Sequence, residues 1–295
     1  MAINSNIKIS IRFFDDREVR AVWNEVDSKW WFSVLDIVAV LRNEDDYTKN
    51  RNYWKYLKAK LKKENNELVS ATTQLKLLAN DNKRYLTDML DHEKIIALGK
   101  QFPSKNANRF IEWFTYSAES IDGKSKTKAY ALFETSFVDS IEVGTTTGLQ
   151  QIHAYIFGGL YDFAGQIRTK NIAKGGYRFE HTQLLSNTLK QIDNMPQNNF
   201  TEIVEKYVAM NKAHPFMEGN GRSMRIWLDL LLKKQLQCCI DWSKISKINY
   251  MNAMIISSVD SIVLKELLKK AITKDIYSRE IYMKGIDYSY YYEEN

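Results

Sequence analysis

The sequence predicts two domains: an N-terminal α+β domain and a C-terminal domain that is mainly α-helical with one β-hairpin. Short segments that alternate apolar and polar residues, as strands do, occur in the N-terminal part. Apolar residues at helical spacing dominate the C-terminal part. Residues 117–128, between them, are polar and contain a glycine, which is typical of a linker. We therefore expect domains at residues 1–116 and 129–295.

The N-terminal domain is expected to begin with strands and to continue with helices. Ser33 has the position and chemistry of an N-cap, and Thr87 is expected to open a later helix. The predicted elements are, in order, strands at residues 7–14, 19–24 and 30–32, helices at 34–41 and 52–63, a strand pair at 74–78 and 83–86 joined by a turn at 79–82, and helices at 87–98 and 107–116.

The predicted helix at residues 52–63 is strongly basic. Its cationic side chains could meet the phosphates of DNA. A solvated face of an amphipathic helix is the alternative interpretation, and the charges alone favour it. The candidate DNA-binding residues are Arg51, Lys55, Lys58 and Lys62.

Composition limits the remaining choices. The net charge of +6 is divided evenly, with 20 basic and 17 acidic residues before residue 121 and 22 and 19 after it. Overall charge therefore marks neither part as a nucleic-acid binder. The two cysteines are adjacent in an apolar segment, which suggests buried thiols in a reducing compartment. No apolar stretch has the length of a signal peptide core or a membrane span, so we expect a cytoplasmic protein.

Residues 214–225 carry the functional prediction for the C-terminal domain; they read His-Pro-Phe-Met-Glu-Gly-Asn-Gly-Arg-Ser-Met-Arg. Pro215 disfavours helical geometry at the preceding residue, so an upstream helix should end at His214. Gly219 and Gly221 can adopt positive φ, which lets the backbone curl and point several N–H groups inward. A helix that restarts after them adds its positive N-terminal end. This arrangement predicts a pocket for phosphates.

Side chains of suitable chemistry surround the predicted pocket. Arg222 and Arg225 are three residues apart, so both can face one side of a helical turn. Neutral His214 can accept a proton near neutral pH. Glu218 offers an oxygen ligand for a Mg²⁺ ion that bridges phosphates. The alternative is an ordinary joint between two helices with scattered polar residues.

Two helices should hold this segment in place. Residues following Asn199 keep one apolar helical face and lead to His214, and the helix after the turn is apolar almost all round. We therefore expect the second helix to be central and buried. The other histidines lack comparable surroundings and are expected to be structural: His92, His153 and His181.

Residues 214–225 also match, at every defined position, the motif His-Pro-Phe-x-acid-Gly-Asn-Gly-Arg-x-x-Arg, and so resemble the Fic family. Fic proteins typically transfer AMP from ATP to a protein hydroxyl. The resemblance implies a protein adenylyltransferase that uses ATP and Mg²⁺, with His214 as the base and Glu218 as the metal ligand. It places Arg222 on the β-phosphate and Arg225 on the γ-phosphate. The nucleotide-binding residues are then Asn211, Lys174, Gly219, Asn220, Gly221, Arg222 and Arg225.

A β-hairpin is predicted around Gly175 and Gly176, within residues 174–179. Without a family resemblance, the residues of this segment predict only an ordinary surface hairpin. The neighbouring segment 161–168, Tyr-Asp-Phe-Ala-Gly-Gln-Ile-Arg, resembles the Fic family, in which a hairpin here forms a flap that holds the target chain by strand pairing. The resemblance therefore implies target docking at Lys174, Gly175, Gly176 and Tyr177.

The C-terminal residues suggest an inhibitory element. Helical spacing places Ser289 and Glu293 one turn apart, and a carboxylate that reached Arg225 would occupy the arginine expected to bind the γ-phosphate. This spacing resembles the Fic class with a C-terminal inhibitory helix, expected here at about residues 287–294. Glu294 departs from that motif, which has Gly or Asn at this position. The alternatives are a register shifted by one residue, Tyr290 with Glu294 and Asn295, and an ordinary frayed tail.

The N-terminal part has its own resemblance. Its motifs include Arg20-x-Val-Trp, Trp30-Trp-Phe-Ser-Val, Tyr53-Trp-Lys, Gln74-Leu-Lys, Lys83-Arg-Tyr-Leu-Thr-Asp and Phe102-Pro-Ser. They resemble the BRO N-terminal domain of phage, viral and bacterial proteins, a family linked to DNA binding. The resemblance covers most of residues 7–115.

Two functions therefore follow from the sequence. The first is an autoinhibited protein adenylyltransferase whose partners are ATP and a target protein with an acceptor hydroxyl; the resemblance suggests type II topoisomerases as one target class. The second is a DNA-binding regulator whose Fic domain senses nucleotide or assembles complexes. Transfer of UMP or phosphocholine, removal of AMP, and homo-oligomerisation remain open.

Overall fold

The computed structural model describes residues 9–24, 29–79, 83–102, 104–117 and 119–294. The chain divides into two compact units, Met1–Ser120 and Ile121–Asn295. Each unit has its own hydrophobic core. Among the helices that the structure describes, none combines the length and the apolar character needed to cross a bilayer.

The first unit contains an antiparallel five-stranded sheet with strand order β1-β2-β3-β5-β4. Its strands are β1 (Ile9–Phe14), β2 (Arg17–Asn24), β3 (Lys29–Ser33), β4 (Thr73–Leu78) and β5 (Arg84–Asp91). Its helices are α1 (Val34–Arg42), α2 (Tyr47–Lys63), α3 (Glu67–Ser70), α4 (His92–Gly99) and α5 (Lys105–Tyr116). The α+β prediction is thus confirmed for this unit. The predictions for residues 7, 8 and 80–82 lie outside the described residues.

Local chemistry explains how this unit begins. Asp15 and Asp16 both have positive φ and make the tight turn between β1 and β2. Ser33 caps α1, because its hydroxyl accepts the backbone N–H of Asp36. The apolar side of α2 is buried through Trp54 and Leu61.

The predicted helix start at Thr87 is wrong. Strand β5 continues to Asp91, and α4 begins only at His92. Met89 and Leu90, which point to opposite faces of the strand, are both fully buried. Because β5 pairs with β3 on one side and β4 on the other, the sheet stabilises this stretch as a strand. Asp91, rather than Thr87, caps the helix by accepting the N–H of Lys94.

The second unit is mainly helical. Its helices are α6 (Ile121–Leu132), α7 (Thr146–Phe157), α8 (Thr182–Asp193), α9 (Phe200–Ala213), α10 (Asn220–Leu236), α11 (Lys247–Ile256), α12 (Ile262–Lys270) and α13 (Arg279–Tyr291). Its short strands are β6 (Ala173–Lys174), β7 (Tyr177–Arg178), β8 (Cys239–Ile240) and β9 (Ile272–Thr273). Helix α10 packs against α7, α9 and α13. Trp227, Leu228 and Leu231 on α10 are fully buried, so the predicted central helix is confirmed.

The segment expected to be a linker is largely helical. Helix α6 starts at Ile121 and packs against α7 and α13. Ser125 and Ala129 are both fully buried. These small side chains permit close helix packing. The polar composition of residues 117–128 gives no sign of this packing in the sequence. The linker prediction therefore fails from Ile121 onward.

Strands β6 and β7 form the predicted hairpin, with Lys174 opposite Tyr177. Gly175 and Gly176 have φ values of 57° and 82°, which suit a two-residue hairpin turn. The flap role of this hairpin stays a prediction at this point.

Candidate active site

The His214 loop begins where α9 ends. Asn199 caps the start of α9 by accepting the N–H of Glu202. The helix ends at Ala213, and His214 follows in the left-handed conformation with φ 48°. Pro215 comes next, so the helix ends where the sequence predicted it would.

The surroundings of His214 define which nitrogen can act as a base. Its Nδ1 lies 3.2 Å from the carbonyl oxygen of Asn211. A carbonyl only accepts, so Nδ1 carries the proton and Nε2 keeps a free lone pair. The ring of Phe179 stacks on the imidazole, with centroids 3.7 Å apart. Burial lowers the pKa of His214 to about 4, against the opposing effects of the Asn211 carbonyl and Glu293. The imidazole is therefore neutral at neutral pH.

Asn220 holds the loop closed. Its side-chain oxygen accepts the N–H of Phe216, and its side-chain nitrogen donates to the carbonyl of Phe216, both at 2.8 Å. The buried amide is thus committed to the loop backbone, whereas we had expected it to contact phosphate. Gly219 has φ 79°, and a Cβ there would lie 2.4 Å from the ring of Phe157. Only glycine fits this approach of the loop to α7.

His153 on α7 has the structural role predicted for it. Its Nδ1 accepts the N–H of Gly165 at 2.8 Å, so Nε2 carries the proton and donates to the carbonyl of Glu218 at 2.9 Å. Its ring stacks on Phe216 at 3.8 Å. Burial lowers its pKa to about 4, which keeps this bridge neutral.

Glu218 is the candidate metal ligand. Its side chain is 59% exposed at the loop surface. Among the described residues, no group of three or more His, Cys, Asp or Glu side chains could hold a metal ion. A single exposed carboxylate is the kind of protein ligand that suits an ion taking most of its ligands from phosphate oxygens and water, as Mg²⁺ does with nucleotides. In this structure, Oε1 of Glu218 accepts from Nη2 of Arg222 at 2.9 Å.

Arg222 is buried and held by two acids. Its Nη1 pairs with Asp122 on α6, and its Nη2 pairs with Glu218. The rings of Phe157 and Tyr290 flank the guanidinium at 5.0 and 5.4 Å. Burial opposes the charge, but Asp122 and the neighbouring acidic groups outweigh it, and the pKa of Arg222 is raised. The sequence offered no signal for Asp122.

Arg225 is buried and contacts the C-terminal segment directly. Its Nε donates to the hydroxyl of Ser289 at 2.7 Å, and its Nη2 donates to the Ser289 carbonyl and to Oε1 of Glu293, both at 2.6 Å. Its Nη1 donates to the hydroxyl of Tyr250 at 3.3 Å, and that hydroxyl lies 2.6 Å from the hydroxyl of Tyr207. Burial alone would raise the pKa of Glu293, but Arg225 and Lys174 lower it to about 2.

The structure also settles which carboxylate faces the site. Helix α13 starts earlier than the expected 287–294 and ends at Tyr291, so Glu293 lies in the turn that follows. Glu294 is exposed, and its carbonyl accepts from Lys247. Tyr290, the other member of the shifted register, is buried and donates to Ser125. Asn295 lies outside the described residues.

The hairpin reaches the same place. Nζ of Lys174 lies 3.2 Å from Oε2 of Glu293. Gly175, Gly176 and Tyr177 are exposed, so the hairpin keeps a surface accessible to another chain. Asn211, also predicted to bind nucleotide, contributes its carbonyl to His214.

The remaining predicted residues lie in the first unit. On α2, Arg51, Lys55 and Lys62 are exposed. Lys58 pairs with Asp88 at 2.9 Å, and Trp54 donates to the same carboxylate. Lys58 is therefore tied to β5, and three of the four candidate cations remain on the open face of α2.

Comparisons with known proteins find a family model that matches the segment containing the site. The model of the Fic/DOC family matches residues 144–232, which include the whole 214–225 motif. The resemblance to that family is thus confirmed for this segment, and the resemblance to the BRO N-terminal domain stays a prediction.

Two curated relatives carry related names. Protein adenylyltransferase VbhT of Bartonella schoenbuchensis is 26% identical over 168 residues, which are 50% of this chain and 34% of the relative. Probable protein adenylyltransferase y4lH of Sinorhizobium fredii is 26% identical over 116 residues, which are 35% of this chain and 60% of the relative. The chain thus spans only part of the length of both relatives.

Among solved structures, the chain is similar to the BepC protein of Bartonella tribocorum with bound AMPPNP. The sequence identity is 18% and the TM-score 0.45, and the match covers 59% of this chain and 90% of that chain. Another is the Fic domain of a putative cell filamentation protein from Bartonella quintana with bound ADP, at 19% identity, a TM-score of 0.45, and 59% and 90% coverage.

Proposed function

We propose that this chain is a protein adenylyltransferase that transfers AMP from ATP to a hydroxyl side chain of a target protein. The observation that carries the proposal is that a proton-accepting group and an anion-binding group lie on the same short segment, residues 214–225. A neutral imidazole with an available Nε2 lies at one end of residues 214–225, and two buried guanidinium groups lie at the other. A base beside an anion site is what transfer of a phosphoryl-linked group to a hydroxyl requires.

In this proposal the residues of the segment have different roles in the reaction. The target hydroxyl donates its proton to Nε2 of His214, and its oxygen attacks the α-phosphorus of ATP. The bond from that phosphorus to the oxygen bridging the β-phosphorus breaks, which releases pyrophosphate and leaves AMP on the protein. The backbone at Gly219 and Gly221 and the guanidinium of Arg222 face the phosphate charge. Mg²⁺ bound through Glu218 would supply further charge neutralisation when present.

The same proposal includes autoinhibition. Arg225 is expected to bind the γ-phosphate, but in this structure Ser289 and Glu293 use three of its N–H directions. A triphosphate that reached Arg225 would have to displace the Glu293 carboxylate. We propose that ATP then binds with its α-phosphate out of line until the C-terminal segment moves. The match of Glu293 to the expected inhibitory position supports this, although Glu294 departs from the motif.

The decisive experiment uses full-length Glu293→Gly protein, which lacks the proposed inhibitory carboxylate, with ATP labelled in the α-phosphate or the γ-phosphate. Label from the α-phosphate should appear on protein, and label from the γ-phosphate should not. His214→Ala should abolish the transfer. Protein label from the γ-phosphate would instead indicate a kinase, and full transfer by His214→Ala would remove His214 as the base.

A second candidate function is DNA binding by the first unit. The exposed basic face of α2, with Tyr56 69% exposed among its cations, supports it. In that case the second unit would sense nucleotide or assemble a complex. A target that works on DNA, such as a type II topoisomerase, would connect the two functions.

A further inference from the structure

Arg168 makes an unusual set of hydrogen bonds. Arg168 is 4% exposed as a residue. Its guanidinium donates to four backbone carbonyls, none of them in a helix interior. These acceptors belong to Lys170, Glu180, Ala213 and His214. In addition, the backbone N–H of Arg168 donates to the carbonyl of Pro215 at 2.8 Å.

The four carbonyls come from two separate segments. Lys170 and Glu180 lie on either side of the hairpin formed by β6 and β7, so one guanidinium closes the base of that hairpin. Ala213 and His214 form the end of α9 and the start of the loop. Arg168 therefore joins the hairpin to the loop that carries the imidazole.

His214 needs such support. Its left-handed backbone, with φ 48°, costs an L-residue about 1 kcal/mol and persists only when neighbours hold it. The Nε of Arg168 donates to the His214 carbonyl at 2.8 Å. On the other side of the residue, the Phe179 ring stacks on the imidazole at an interplanar angle of 13°. Phe179 follows β7 directly, so the hairpin itself supplies this second contact.

We propose that Arg168 is a positioning residue that fixes the hairpin relative to Nε2 of His214, with Phe179 as its partner in that role. The inference rests on the proposed function. A target chain paired with the hairpin would then present its hydroxyl at a set distance from the imidazole. Misplacement of reacting groups by about 1 Å can cost about a hundredfold in rate.

Only an arginine suits this position. The planar guanidinium carries five N–H donors in a fixed fork, whereas a lysine ammonium is a single point on a flexible stem. Arg168→Lys keeps the positive charge but cannot reach carbonyls on both segments at once. The substitution therefore separates the geometry from the charge.

The test compares Arg168→Lys with Arg109→Lys, the same change at an exposed arginine of α5. Both are made in full-length Glu293→Gly protein. For Arg168→Lys we expect kcat for AMP transfer to fall about ten- to a hundredfold while affinity for AMPPNP changes less than about twofold. Arg109→Lys should match its parent in both. Unchanged kcat, or an equal loss of nucleotide affinity, would overturn the positioning role.

A spectroscopic measurement keeps the inference testable whether or not the parent transfers AMP. In the native chain, NMR of labelled histidine should show His214 with the proton on Nδ1. Phe179→Leu and Arg168→Lys should both shift the population toward the Nε2–H tautomer, and Phe179→Tyr, which keeps a stacking ring, should restore the native spectrum. An unaltered tautomer in both variants would overturn the inference; an inactive parent would count against the proposed function alone.

Discussion

Asp122 and Arg222 form an ion pair across 100 residues of sequence. The carboxylate comes from the first turn of α6, and the guanidinium from the first turn of α10. Tyr290 links the same two neighbourhoods, because its hydroxyl donates to Ser125 on α6 and its ring lies against Arg222. A phosphate that binds Arg222 therefore has to compete with a carboxylate, just as one that binds Arg225 has to compete with Glu293.

Removing the Asp122 charge should favour nucleotide binding. In Glu293→Gly protein, Asp122→Asn is expected to tighten AMPPNP binding by up to about fivefold, because Asp122 is 59% exposed and such pairs contribute about 1 kcal/mol or less. Calorimetric titration measures this, with Asp139→Asn, at another exposed acid of the same unit, as the control. Weaker binding by Asp122→Asn would instead identify Asp122 as a support for Arg222.

Glu293→Gly should activate AMP transfer. It removes the carboxylate that occupies Nη2 of Arg225 and leaves the Ser289 contacts in place. We expect at least about a tenfold increase in the rate of labelling, which corresponds to about 1.4 kcal/mol. The matched control is Glu294→Gly, one position further on and exposed. Equal activation by both variants would show that any loosening of the terminus suffices and that the Arg225 contact is not the inhibitory one.

Inhibition should not vary across the neutral pH range. The pKa of Glu293 is lowered to about 2, so the stability it contributes is complete above its ordinary value of 4.5 and is lost only as pH falls toward 2. His214, with a pKa lowered to about 4, is neutral over the same range. The ratio of transfer rates of Glu293→Gly and native protein should therefore stay constant from about pH 5.5 to about pH 8. If the transfer rate of Glu293→Gly protein itself fell by half as the pH was lowered to about 6.5, His214 would have the pKa of a solvated imidazole during the reaction.

Gly219→Ala should destabilise the site through a steric clash. Both Gly219 and Gly159 have positive φ, at 79° and 73°, but only at Gly219 would a Cβ meet another group, at 2.4 Å from Phe157. Each variant should lose about 1 kcal/mol from the left-handed backbone, and Gly219→Ala a further 1–3 kcal/mol, roughly, from overpacking. The difference between the two variants in the free energy of unfolding, measured with urea, gives the contribution of overpacking. Equal destabilisation would show that the loop can move away from α7.

DNA binding should depend on the open face of α2. Replacing Arg51, Lys55 and Lys62 by alanine is expected to abolish a salt-dependent gel shift of the full chain. Three exposed lysines of the second unit provide a control of equal charge: Lys190, Lys234 and Lys270. Equal weakening by both sets would indicate that only net charge matters, and no shift of the native chain at low salt would exclude this function.

Much of the local structure was predictable because it depends on neighbours in sequence. The Ser33 cap, the Gly175–Gly176 hairpin and the end of α9 before Pro215 all follow from backbone preferences of one or two residues. The Thr87 prediction failed for the opposite reason: pairing with two other strands decided that stretch. The linker prediction for residues 117–128 failed because the buried positions in the first turns of α6 are small, as at Ser125 and Ala129, and the sequence there has no apolar stripe to indicate a helix.

The sequence by itself determined that residues 214–225 bring a histidine and two arginines together and that the preceding helix ends at this segment. The next helix begins at Asn220, earlier than the two glycines suggested. The contact of Glu293 with Arg225 was also expected from the sequence. Only the tertiary structure decided the other partners: Asp122, Arg168 and Phe179 reach this segment from elsewhere in the chain, and no spacing along the chain encodes those distances. Backbone conformation is set largely by adjacent residues, whereas the partners of a buried charge are set by the packing of the whole unit, since each must be satisfied by whatever group folds against it.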